Sequence, residues 1–215
     1  SKLKAPPLVE PLEISGGVKG MKIDIGLLRE VKFPVVSIDS FSVKVVGDMF
    51  GGKIEAALVL GIIKIDASGQ MISTFDTTTP VADRILYGAL DGSFSMMGIG
   101  GFSIRLALSE LGPLGVQIGV SLPTGIIIHP PSGLTINDFV AGVEFFKTLP
   151  AVTSPFDLRG SDFDVPGTQS VEEWRASIEG QVVAQWNFMQ DNPGQSGFLA
   201  AFMAPMTITG SARVS

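Results

Sequence analysis

The stretch from Phe94 to Leu122 constrains this chain more than any other. In SFSMMGIGGFSIRLALSE the even positions Phe94, Met96, Phe102, Ile104, Leu106 and Leu108 are apolar, while Ser95, Ser103, Arg105 and Ser109 sit at odd ones. A period of two is that of a β-strand with one buried face. After Leu111-Gly112-Pro113-Leu114-Gly115 the alternation resumes, with Val116, Ile118, Val120 and Leu122 on one side and Gln117, Gly119 and Ser121 on the other. Two long strands joined by a Gly-Pro turn predict a hairpin. Phe94, Phe102, Ile104, Leu106 and Leu108 are therefore the expected core or contact residues of the sheet.

The pattern recurs along the chain. Residues 1–13, with Pro6, Pro7 and Pro11, read as an extended lead-in, and residues 14–215 as a single β-rich domain. A first strand is expected from Val18 to Leu28. A second begins near Pro34, with Phe41, Val43 and Val45 opposite Ser40, Ser42 and Lys44, and it ends in the turn Asp48–Gly52. The centre of KIEAALVLGIIKID is apolar at every position, which predicts a strand buried on both faces. Ala67 to Pro80 reads as a polar loop containing a short strand from Met71 to Phe75, and Gly125–Ile128 as a separate short strand. Residues 134–150 fit either a helix capped by Asn137 or a strand, and their β-branched and aromatic content favours the strand.

Residues 150–169 have no periodicity and read as a long surface loop. A helix is expected over 170–191. Ser170-Val171-Glu172-Glu173 is a capping box, and Val171, Trp174, Ile178, Val182, Trp186 and Met189 recur at helical spacing. Trp174 and Trp186 anchor the stripe that should lie on the sheet. The fold class expected is thus mainly β (α+β): antiparallel sheets, sandwich-like or extended, with one long amphipathic helix near the C-terminus packed on a sheet.

Composition narrows the function classes. Only 17% of the residues are charged while 45% are hydrophobic, and the mean hydropathy is +0.40. Such a chain must hide its apolar surface, offer it to a partner, or keep it against lipid. The longest unbroken apolar run, Ala56 to Ile63, is far short of the ~20 residues of a membrane-spanning helix. One Tyr and two Trp are too few for the aromatic girdles of a transmembrane β-barrel. A net charge of −6 with no basic stripe speaks against nucleic acid. The absence of Cys removes disulfides, thiolate nucleophiles and Cys-ligated zinc.

Few residues suggest chemistry. His129, the only histidine, precedes Pro130-Pro131 and reads as a surface loop residue, since no motif supplies partners for catalysis or metal binding. Asp157, Asp162 and Asp164 fall in one loop and are the calcium candidates, the only cofactor for which the sequence makes a case, although Pro166 stands where an EF-hand would place an oxygen ligand. Asp157, Asp162, Glu172 and Glu173 are the candidates for a hydrolytic carboxylate pair, two of them already explained by helix capping. No Gly-x-Ser-x-Gly elbow is present, and the glycine pairs at 16–17, 51–52 and 100–101 open no helix that would cradle phosphate. Arg105, on the serine face, reads as a solvent-facing or sheet-pairing residue.

The segments GIGGFSIRLALSELGPLG and PPSGLTINDFVAGVEFFKTLP, the helix at Trp174, and GFLAAFMAPMTITGS resemble parts of very large, β-rich, uncharacterised bacterial proteins. The resemblance spans the second half of the chain and implies a module of a longer polypeptide, in keeping with a start that lacks Met and an end inside a strand-like stretch. It carries over no catalytic residue. The expected function is a non-enzymatic structural or assembly module that associates with itself or flanking segments through strand edges or apolar sheet faces. A lipid-binding or lipid-conducting β-module with an apolar trough is the alternative, and a hydrolase with paired carboxylates the third reading. A secreted or cell-surface setting is the favoured expectation for its location.

Overall fold

The computed structural model describes residues 13–23, 36–37, 39–49, 51–73, 76, 78–147, 170–195 and 197–214. Eight strands form one antiparallel sheet in the order β1-β4-β5-β6-β7-β8-β9-β10. They are β1 (Glu13–Lys19), β4 (Ser40–Met49), β5 (Gly52–Ile65), β6 (Asp83–Met96), β7 (Gly100–Ser109), β8 (Gly112–His129), β9 (Leu134–Phe145) and β10 (Met206–Val214). The short strands β2 (Lys22–Ile23) and β3 (Val36–Ser37) pair separately. Helix α1 (Val171–Asp191) lies on the sheet, and the short helix α2 (Gly197–Met203) leads from it into β10.

Several sequence boundaries move. Of the first expected strand, Val18 and Lys19 end β1, Lys22 and Ile23 form β2, and residues 24–28 lie outside the described residues. The stretch from Phe94 to Ser109 is two strands rather than one, because Met97, Gly98 and Ile99 turn the chain between β6 and β7. The expected β7–β8 hairpin is present, but its turn is Glu110–Leu111, with Gly112 and Pro113 already paired in a bulged β8. Gly125–Ile128 continues β8 instead of forming a strand of its own. Met71 makes only an isolated bridge to Ile65. Residues 134–145 form a strand, as their β-branched content suggested. The loop over 150–169 lies outside the described residues.

The helix follows its sequence signals. Ser170 Oγ accepts from the Glu173 backbone N–H, and the Glu173 carboxylate accepts from the Ser170 N–H, closing the capping box. These bonds hold the Glu173 carboxyl below its usual range. Trp174, Ile178, Val182 and Trp186 are buried, together with Val59, Ile63, Ile85, Tyr87, Ala89 and Ala107 of the sheet. Small residues let the helix come close. At Gly61 a Cβ would lie 2.6 Å from the Tyr87 ring, so only glycine leaves room for that ring beneath α1.

Tyr87 is a deeply buried polar anchor of this packing. Its hydroxyl donates to Glu179 Oε1 at 2.8 Å, and Lys19 Nζ pairs with Glu179 Oε2 at 2.8 Å, which ties β6, α1 and β1 together. Burial, reinforced by the Glu179 charge, pushes the phenol well above its ordinary value. In the unfolded chain the phenol ionises near pH ~10. The folded state keeps the proton beyond that point, so stability is full below this value and falls as pH rises through it. Because Tyr87 is the only tyrosine, tyrosinate absorbance should appear in step with alkaline unfolding, with no earlier phase. Tyr87→Phe should remove this alkaline loss and lower neutral stability by about 1–2 kcal/mol in urea titration.

Candidate functional site

Antiparallel pairing places partner residues on the same face of the sheet, so its two surfaces can be read row by row. One row runs Val43, Leu58, Leu90, Leu106, Val116, Val143 and Ile208 from β4 to β10. The next runs Val45, Ala56, Gly92, Ile104, Ile118, Ala141 and Gly210. Beyond these lie Phe41, Leu60, Gly88 and Leu108 on one side, and Gly47, Ile54, Phe94, Phe102, Val120, Phe139 and Ala212 on the other. No polar side chain interrupts these four rows.

The opposite face carries the charges. Lys44, Asp91, Arg105 and Gln117 share one row, and Glu55, Ser93 and Ser103 share the next. It is this mixed face that α1 covers, and the apolar face that is left open. Leu58 is 37% exposed, Phe102 48% and Ile118 45%. Of the two roles expected for the five sheet residues, core or contact, the core role does not hold: Phe94, Phe102 and Leu108 are exposed and Ile104 and Leu106 only half-buried, so they form a surface. Trp174 and Trp186 are buried as expected. β5 is likewise not buried on both faces, because Leu58, Leu60 and Ile62 point away from the helix.

The physical reason lies in the contacts of α1. Arg105, which was expected at the surface or in sheet pairing, is only 7% exposed. Its guanidinium pairs with Asp91 Oδ2 at 2.7 Å and lies 5.2 Å from the centre of a Trp174 ring. Ser109 Oγ donates to Gln185 Oε1, Gln181 Nε2 donates to the Phe145 carbonyl at 3.1 Å, and Trp186 Nε1 donates to Asp83 Oδ2 at 3.0 Å. Glu179, Gln181 and Gln185 are buried on the same stripe as the tryptophans. A stripe with that much polar character needs polar partners, which only the serine- and arginine-bearing face supplies. That signal was present in the sequence, at positions 179, 181 and 185.

The other candidates are less informative. Asp157, Asp162 and Asp164 lie outside the described residues. Glu172 is exposed, and Glu173 is held in the capping box. His129 is exposed at the end of β8, with Nδ1 2.9 Å from Ser132 Oγ. Among the described residues no group of three His, Asp or Glu could hold a metal ion, and no helix is long and apolar enough to cross a membrane. A shallow, open depression of about 500 Å³ is lined along the row of Phe94, Phe102, Val120 and Phe139 and by the flanking serines, with Asp138 as its one carboxylate. Comparison with known proteins finds no matching family, curated protein or solved structure.

The buried pair yields a clear expectation. Arg105→Met strands Asp91 beneath the helix and should destabilise the chain by about 3 kcal/mol in urea. Adding Asp91→Leu should restore most of that loss, because the double variant leaves no unpaired charge.

Proposed function

We propose that this chain is a non-enzymatic assembly module, which works by burying the open face of its sheet against another apolar β-surface, in a second copy or in a flanking segment of a longer polypeptide. The observation that carries this reading is the four-row face without a polar side chain, exposed on a molecule whose helix already occupies the opposite side. A single exposed leucine means nothing, but a continuous apolar surface of this extent marks a site of association. The outer sides of β1 and β10, which end the eight-stranded sheet, offer a second means of joining through strand pairing.

A second reading uses the depression at the Phe94–Phe139 end of the sheet, where Ser93, Ser103, Ser121 and Asp138 of the mixed face line it together with Phe94, Phe102, Val120 and Phe139. At about 500 Å³ it falls in the size range of small-molecule sites and favours a module that holds acyl chains. Sheet-to-sheet burial is the stronger reading, because the apolar rows extend far beyond that depression to both edges of the sheet.

Sedimentation of the purified chain without detergent tests the assembly reading. The wild-type chain should sediment as a multimer at tens of micromolar, and Leu106→Asp with Ile118→Asp should convert it to monomer while leaving far-ultraviolet circular dichroism unchanged. A wild-type monomer free of bound mass at that concentration would remove the reading. A monomer carrying heterogeneous lipid mass in native mass spectrometry would transfer the face to acyl chains.

A further inference from the structure

The four apolar rows form a surface large enough for a stable pair of subunits. Three rows across seven strands and a fourth across four, with strands about 4.8 Å and rows about 6.8 Å apart, give a face of roughly 800 Å² before side-chain relief is counted. A standard interface buries about 800 Å² per partner. The face is thus sufficient by itself for an isologous dimer, and the two central rows carry a size pattern that sets its register.

At four of the seven strands the Leu90 row is bulky where the Gly92 row is small. Along β5 the neighbours are Leu58 and Ala56, along β6 Leu90 and Gly92, along β9 Val143 and Ala141, and along β10 Ile208 and Gly210. Gly92 is an open notch: a Cβ built there would meet nothing nearer than Ile104 Cγ2 at 3.8 Å. β6 is also the fourth of the eight strands, so this notch lies near the centre of the sheet. In a two-fold pair, residue i of one copy faces residue j of the other and j faces i. A two-fold axis crossing the strands between these two rows brings Leu58, Leu90, Val143 and Ile208 of one copy over Ala56, Gly92, Ala141 and Gly210 of the other, while at β4, β7 and β8 residues of similar size meet, Val43 with Val45, Leu106 with Ile104 and Val116 with Ile118.

Resting on the assembly reading above, we infer that the occupant of the open face is a second copy of this chain, stacked sheet on sheet about a two-fold axis near Asp91, with Leu90 of each copy seated over Gly92 of the other. Such stacked sheets sit ~10 Å apart and rotate by about 30°, so the register is strictest at β5 and β6, where the Leu58–Ala56 and Leu90–Gly92 steps lie. Acyl chains, being fluid, would not need this alternation. A rigid second sheet would.

Size exchange tests the register. Gly92 has room for a side chain within one copy, so Gly92→Leu should fold and keep the wild-type urea midpoint or better, yet weaken the dimer at least tenfold in sedimentation equilibrium. Leu90→Gly together with Gly92→Leu should recover most of that affinity, because the exchanged residues again face one another across the axis. A dimer untouched by Gly92→Leu, or one not recovered by the double variant, would overturn this register while leaving the assembly reading intact, provided that Leu106→Asp with Ile118→Asp still disrupts it. A wild-type monomer at every concentration, or a monomer with bound lipid mass, would overturn both.

Discussion

The helix can sit on only one side of this sheet, and the polar side chains on its own buried stripe, Glu179, Gln181 and Gln185, decide which. Beneath it the Arg105–Asp91 pair is largely withdrawn from water, with the guanidinium against Trp174. A buried ion pair adds little net stability, but breaking one is costly. The same holds for Glu179, which accepts from Tyr87 and pairs with Lys19 beneath the helix. Moving α1 to the opposite face would leave Glu179, Gln181 and Gln185 among aliphatic neighbours and without their partners. Polar satisfaction thus fixes the architecture, and the apolar face is open as a consequence.

This arrangement departs from the common division of a half-covered sheet, in which polar residues meet solvent and apolar residues meet the covering layer. The covered face here holds the core of Val59, Ile63, Ile85 and Tyr87 together with serines and paired charges, whereas the open face is aliphatic and aromatic throughout. A sheet built this way is complete on one side only. Its exposed side has the composition of a core, which is why the reading offered above places another layer upon it.

Much of the fold was legible in the sequence because strand alternation and helix capping are local signals. The capping box at Ser170, the tryptophan stripe, and the two-residue rhythm of β7 and β8 correspond directly to elements. The choice of covered face was not legible from alternation, since a period of two separates two faces without saying which meets the helix. The deciding residues were Glu179, Gln181 and Gln185, whose spacing puts them beside the tryptophans rather than opposite them. β5 was misread for a related reason: a strand apolar on both sides is expected in a double layer, and here its second side is the open surface. The turn at Met97–Ile99 was missed because Met96 and Gly100 preserve the alternation on either side of it. The acidic loop around Asp162 falls outside the described residues and leaves the calcium expectation where the sequence put it.

From β4 through β9 each strand of the large sheet pairs with its neighbour in sequence. A meander of this kind closes loops of short sequence separation and loses little chain entropy at each step. As the polypeptide is synthesised, each new strand can add to the hairpin already formed before it. The helix that shields one side arrives only after β9, so for most of that time both surfaces of the growing sheet are bare, and they become unlike only when α1 docks.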